Sequence, residues 1–207
     1  MNLADIPIVY INLESRTDRR AHMEAQLERY GLEAERFNAI ANPGFGIWGC
    51  GQSHLAVLKL AQRRGWPCVW ILEDDFKFLI SPEELHSSIS TLVSNYQYDV
   101  CMGAYNMHEK EPFVDTDSNL DPDFCRVLFA QTASCYIVSA HYYQKLIDLY
   151  EESFPKLLET KRHWLYANDI VWRDFQRTDR WVAPIERWGK QMDGYSDNAQ
   201  QIVQYNC

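Results

Sequence analysis

Short continuous apolar runs alternate along the chain with longer segments of helical period. The run Ile6–Leu13 is β-branched and aromatic and apolar almost throughout, which predicts a central parallel strand. Ser15 with Asp18 resembles an N-cap with an acid at N3. The helix it opens runs to about Tyr30, with Met23, Leu27 and Tyr30 on one face and Gly31 as its stop. Glu35–Ile40 reads as a second strand. Residues 41–52 carry four glycines and a proline and read as a loop that allows close backbone approach. Ser53 and His54 then open a helix to about Arg64, with Leu55, Leu58 and Ala61 inward. Val69–Leu72 is a buried strand, and three carboxylates, Glu73, Asp74 and Asp75, follow it directly.

Ser81-Pro82-Glu83-Glu84 is a helix start with a serine cap, proline at the first position and glutamate at N3, and the helix ends near Tyr96. Asp99–Gly103 is a short strand. Residues 104–123 are polar and without period, and read as a long functional loop, with Tyr105 placed on a lid. Arg126–Ala130 and Ser134–Ser139 are two more strands. Ser139 caps a helix with Tyr143, Leu146, Ile147 and Tyr150 on one face. The aromatic stretch His163–Trp172 has Asp169 near its centre, Trp181–Pro184 is a last strand, and Gly189–Cys207 is a polar tail without pattern. Strands alternating with helices predict one α/β domain over 1–207, with a mostly parallel central sheet flanked by helices.

A net charge of −9 excludes a general nucleic-acid surface. The N-terminal stretch lacks the pattern of a signal peptide, and no apolar run is long enough to span a membrane, so the expectation is a soluble, cytoplasmic protein. The six cysteines form no CxxC pair and several lie in apolar runs, as buried thiols in a reducing compartment do. A zinc site would need closer Cys/His spacing than the chain offers. Aromatic residues make up 14%, enough for a sugar-stacking floor among Trp164, Tyr166, Trp172, Trp181 and Trp188, although packing against the sheet is the commoner use.

The acidic triplet carries the candidate chemistry. Like charges at a buried strand end repel and resist ionising together, and a divalent cation removes that conflict; the plain alternative is a polar strand end facing water. Arg16, Arg19 and Arg20 at the turn after the first strand oppose the helix dipole, which favours an anion nearby, or they form a solvated basic face. His54 either touches substrate or packs within its helix.

Four pieces in order resemble glycosyltransferase family 25. They are Val9-Tyr10-Ile11-Asn12-Leu13 with Arg16, Arg19 and Arg20; Gly49-Cys50-x-x-Ser53-His54; Leu72-Glu73-Asp74-Asp75; and Ala133-Ser134-Cys135-Tyr136-Ile137-Val138-Ser139. That family includes lipooligosaccharide β-galactosyltransferases and collagen hydroxylysine galactosyltransferases. The resemblance implies a nucleotide-diphospho-sugar transferase fold of the GT-A type, with residues 1–103 the nucleotide-sugar half and 104–207 the acceptor half and tail. It also implies a UDP-sugar donor, Mn²⁺ or Mg²⁺, and inverting transfer of a hexose, galactose or glucose. The acceptor would be a glycan, a glycolipid as in lipopolysaccharide biosynthesis, or a protein hydroxyl; a lipid acceptor requires peripheral membrane attachment.

By likeness to the Asp-x-Asp motif of such enzymes, Asp75 is the direct metal ligand, Glu73 acts through water or on the ribose, and Asp74 approaches the donor sugar. Asn12, Leu13, Arg16, Arg19, Ser53 and His54 fall on the implied donor side. Inversion needs a separate carboxylate base. Asp169 is the candidate, against a role capping the helix near Ile170, with Asp197 and Glu186 in reserve. A third metal contact falls to Asp193, Asp197 or water. The competing readings are another metal-dependent phosphate-processing enzyme, whether phosphohydrolase or nucleotidyltransferase, and a binding module of the same fold without catalysis.

Overall fold

The computed structural model describes residues 3–114, 120–196 and 201–203. In chain order the elements are β1 (Ile8–Asn12), α1 (Thr17–Tyr30), β2 (Glu35–Asn38), α2 (Gly46–Arg64), β3 (Cys68–Glu73), β4 (Phe76–Phe78) and α3 (Pro82–Asn95). There follow β5 (Val100–Met102), β6 (Asn106–Val114), β7 (Leu120–Gln131), β8 (Cys135–Ser139) and α4 (Tyr143–Thr160). The short helices α5 (His163–Tyr166), α6 (Asn168–Val171) and α7 (Arg173–Thr178) come next, and then β9 (Trp181–Pro184), β10 (Gly189–Gln191), β11 (Gly194–Ser196) and β12 (Gln201–Val203).

One eight-stranded sheet has the order β2-β1-β3-β8-β5-β9-β7-β6. Its strands run mostly one way, with β8 and β7 opposed to the rest. Both faces are covered, which is why β1, β3 and β8 read as continuous apolar runs. Val9, Ile11, Val69, Ile71 and Val138 pack on one face with Leu58 of α2 and Leu146, Tyr150 and Phe154 of α4. The alternate residues Ile8, Tyr10, Trp70, Leu72 and Ile137 pack on the other with Met23 and Leu27 of α1 and Leu85 and Ile89 of α3. The helices after β1 and β2 thus lie on opposite faces, and the strand order reverses at β1.

The expected capping box of α3 is present, with Ser81 and Glu84 each bonded to the other's backbone. Several other expectations change. Helix α2 begins at Gly46 rather than at Ser53. Its glycines serve close packing, not a loop: a Cβ on Gly49 would stand 2.3 Å from the Ile40 carbonyl oxygen, and one on Gly51 would stand 2.8 Å from the Phe154 ring. Ser15 does not cap α1; Arg16 occupies that place without a side-chain cap bond. Ser139 does not cap α4 either, because its hydroxyl donates to the Tyr98 carbonyl at 2.7 Å.

The expected 104–123 loop is largely a strand pair. β6 and β7 run antiparallel at the sheet margin, with register shifts between Met107 and Glu109, Glu109 and Lys110, and Pro112 and Val114. An edge strand broken by bulges, carrying Pro112 and several charges, loses the period that would reveal it. Tyr105 is anchored rather than mobile, its single hydroxyl proton shared between the carbonyls of Pro184 at 2.8 Å and Ile185 at 2.9 Å. Trp172, Trp181 and Trp188 are fully buried core residues, whereas Trp164 is exposed. No helix among the described residues is long and apolar enough to cross a membrane.

Candidate functional site

The parallel pairing of β1 and β3 sets Ile11 opposite Glu73 and brings the carboxyl ends of both strands together. The triplet is pinned there through its backbone. Glu73 N donates to Ser134 O at 2.9 Å, Asp74 N to Ile11 O at 3.1 Å, and Met192 N to Asp75 O at 2.7 Å. The last bond depends on β10, which pairs with β4 and returns the tail to the triplet.

Asn12, the final residue of β1, is buried and spans the cleft. Its Nδ2 donates to Asp74 Oδ2 at 2.7 Å and to the Arg16 carbonyl at 3.0 Å, while its Oδ1 accepts from Arg36 Nε at 2.9 Å. Arg19, one turn into α1, reaches back so that Nη1 lies 3.1 Å from Asp74 Oδ1 and 2.9 Å from Asp75 Oδ2. Glu73 faces α2. Its Oε1 meets His54 Nε2 at 3.0 Å and accepts from Cys50 Sγ at 3.4 Å, and its Oε2 accepts from Gln191 Nε2 at 3.3 Å. The other ring nitrogen of His54 meets the Tyr136 hydroxyl at 2.8 Å.

The electrostatics separate the three acids. Burial, then the charge of Glu73, push Asp75 up to about 7, against the pull of Arg19. Burial raises Asp74 as well, despite Asn12 and Arg19. Glu73 also feels burial pushing upward, but His54, Cys50 and Arg19 outweigh it and hold its carboxyl below the usual range. Asp75 Oδ1 is buried without a hydrogen-bond partner among the described residues. A buried acceptor left unpaired costs free energy, and two carboxylates, Asp74 and Asp75, face the one guanidinium of Arg19. An unpaired oxygen of this kind at Asp75 is what a small, hard cation would satisfy, whereas both Glu73 oxygens are already engaged by His54, Cys50 and Gln191.

Asp169, in the first turn of α6, belongs to the same neighbourhood. It does not cap that helix; Ala167 holds the cap position, and Asp169 Oδ2 accepts from Thr132 N at 3.2 Å. Thr132 itself has a left-handed φ of 89°. Burial raises the Asp169 pKa, with the Thr132 N–H pulling down and the Glu73 charge pushing up. Cys50 is raised well above the usual thiol range by burial first, and then by Glu73, Asp169 and Asp75, which all surround it.

The other expected residues make different contacts. Arg16 pairs with Asp18 at 2.7 Å. Leu13 closes the turn after β1 through its carbonyl, which accepts from Arg16 N at 2.9 Å. Ser53 is fully buried, accepting from Ile40 N and donating to Gly49 O, both at 2.8 Å, and so clamps α2 to the chain leaving β2. Asp193 is exposed and 3.9 Å from Lys190. Glu186 lines a shallow cavity of about 430 Å³ with Tyr105, Ile185 and Arg187, away from the triplet's own contacts. Asp197 lies outside the described residues. The sequence reading gave no role to Cys50, Arg36 or Tyr136; the i,i+4 pair Cys50 and His54 becomes visible only once α2 is seen to start at Gly46.

No family model matches the sequence, and none of the curated proteins matches it. Among solved structures, similarity extends to a mannose-1-phosphate geranyltransferase from Thermus thermophilus, with 10% identity over 88% of this chain and 74% of that one and a TM-score of 0.46. It also extends to 4-diphosphocytidyl-2C-methyl-D-erythritolsynthase from Anaerococcus prevotii, with 13% identity, 90% and 91% coverage and a TM-score of 0.40. A third is A197 from STIV, with 9% identity, 98% and 95% coverage and a TM-score of 0.43. These likenesses are distant.

Proposed function

We propose that the protein is a metal-dependent glycosyltransferase of the GT-A type that moves a hexose, galactose or glucose, from a UDP-sugar to a hydroxyl acceptor with inversion. The observation that carries the reading is the Asp75 carboxylate, buried, raised toward neutrality and with one oxygen unpartnered among the described residues, inside a cluster of three acids and an arginine. The cluster sits outside the carboxyl ends of parallel strands where the strand order reverses, the usual ligand crevice of an open α/β sheet.

Asp75 and Glu73 would hold a Mn²⁺ or Mg²⁺ ion, which when bound supplies positive charge to the departing diphosphate. Asp74, with both oxygens engaged by Asn12 and Arg19, orients the guanidinium beside Asp75 rather than approaching the sugar. Asp169 is the base. As the acceptor oxygen bonds to the anomeric carbon and the sugar–phosphate bond breaks, the acceptor proton passes to its carboxylate and UDP carries away the electron pair. Its burial favours this role, because a carboxylate raised above the ordinary aspartate range is a stronger base.

A thermal-shift panel of UDP-Gal, UDP-Glc, UDP-GlcNAc, UDP-Xyl and GDP-Man, each with and without Mn²⁺, tests the reading. A ligand that binds the native state at a hundredfold its Kd adds about 2.7 kcal/mol. The expected result is a shift with a UDP-hexose that needs the metal. No shift with any nucleotide sugar, on a folded protein, overturns it.

A further inference from the structure

We propose that Cys50, His54 and Glu73 form a second cation site, one for a borderline-soft divalent metal of the zinc class. The sequence spacing argued against zinc, because such a site would need closer Cys/His spacing than the chain offers. The fold supplies the missing ligand from another element. Cys50 and His54 are four residues apart in α2 and so share a helix face. The end of β3 sets Glu73 against that face, and the three ligand atoms all lie within 4.8 Å of one another.

The spacing matches a tetrahedron. With metal–nitrogen and metal–oxygen bonds of about 2.1 Å and a metal–sulfur bond of about 2.3 Å, the edges are roughly 3.4 Å between nitrogen and oxygen and about 3.6 Å between sulfur and oxygen. The observed separations, both to Glu73 Oε1, are 3.0 Å from His54 Nε2 and 3.4 Å from Cys50 Sγ. Those two edges need movements of a few tenths of an ångström, the third, between Cys50 Sγ and His54 Nε2, lies within 4.8 Å, and the fourth position is left to water. The far side of the His54 ring has a partner too. The Tyr136 hydroxyl lies 2.8 Å from His54 Nδ1 and can accept from it, which leaves Nε2 as the ligating nitrogen. Entry is through Glu73, whose side chain keeps 19% of its surface exposed while His54 is closed off.

Binding exchanges protons for the metal. The proton between His54 Nε2 and Glu73 Oε1 moves to Nδ1, where the Tyr136 hydroxyl accepts it, and the Cys50 thiol gives its proton to solvent as the sulfur bonds the metal, so one proton leaves per ion. The site differs in kind from the all-oxygen position at Asp75. The two share Glu73, so a zinc-class ion draws that carboxylate away from the acidic cluster.

The test uses the metal alone and does not depend on any transferase activity. Metal-free protein is titrated with Co²⁺, and thiolate-to-cobalt charge-transfer absorption is recorded. One ion per chain is expected to produce the band, Zn²⁺ to bleach it, Cys50→Ser to abolish it, and Asp75→Asn to retain it. The absence of the band in wild-type protein overturns the site, as does its survival in Cys50→Ser or its loss in Asp75→Asn. X-ray absorption on the zinc-loaded wild type needs no variant: one sulfur in the metal's first shell supports the assignment, and a shell of nitrogen and oxygen alone refutes it.

Discussion

Arg19 and Asp75 are 2.9 Å apart, and the same guanidinium nitrogen lies 3.1 Å from Asp74, so a single side chain provides counter-charge to two buried acids. Removing one partner from a buried ion pair typically costs about 3–5 kcal/mol, because it strands the remaining charge. Arg19→Gln is therefore expected to lower the unfolding free energy of the metal-free protein by about 3 kcal/mol, with Mn²⁺ restoring part of the loss. Urea unfolding with and without metal measures both. A variant as stable as wild type would remove the guanidinium from the account of this cluster.

Asp75→Asn separates the metal role from the structural one. The neutral amide keeps the shape and relieves the burial penalty and the repulsion from Glu73 that together raise the carboxyl. The fold is expected to persist by circular dichroism, while the Mn²⁺-dependent part of any UDP-sugar thermal shift disappears. Wild-type donor affinity in this variant would move the metal ligand elsewhere.

Asp169→Asn acts on a different step. An amide oxygen can still accept from Thr132 N, so local structure and donor binding are expected to survive while transfer falls by about a hundredfold or more. The pH dependence has a fixed sign. A base works ionised, and burial raises the Asp169 pKa, so kcat should fall on the acid side with a midpoint above the ordinary aspartate range. A limb at or below that range, or near-normal transfer by the variant, would transfer the role to another carboxylate.

Those assignments rest on residues that the sequence brought into view unevenly. β1 and β3 were legible because strands buried on both faces become uninterrupted apolar runs, and the start of α3 was legible because a capping box is a local device. The meeting of Asn12, Arg19 and the triplet followed from parallel strands, whose carboxyl ends share one side of a sheet. What stayed hidden depends on distant partners. β6 is an edge strand with bulges and no apolar face to announce it. Gln191 reaches Glu73 only because β10 pairs with β4. Cys50 joins the cluster only because residues that read as a loop are helix.

That last point has its own test in Gly49. By helix propensity alone, alanine in place of glycine inside α2 should stabilise by about 1 kcal/mol. The structure reverses the sign. A Cβ at Gly49 would lie 2.3 Å from Ile40 O and 3.2 Å from Asn42 N, both backbone atoms, and the Ser53 hydroxyl ties Ile40 N and Gly49 O into the same close approach. Relief requires moving the helix away from the chain leaving β2, and overpacking of this kind typically costs about 1–3 kcal/mol. At Gly51 the obstacle is the Phe154 ring, a side chain that can shift, so the cost should be smaller. Gly44, with only Asn42 Oδ1 at 3.6 Å, should tolerate alanine within about 0.5 kcal/mol. Urea midpoints are expected to fall most for Gly49→Ala, less for Gly51→Ala and hardly at all for Gly44→Ala. A stabilised Gly49→Ala would mean that the close approach is absent and that α2 begins where its glycine-rich sequence first placed it, at Ser53.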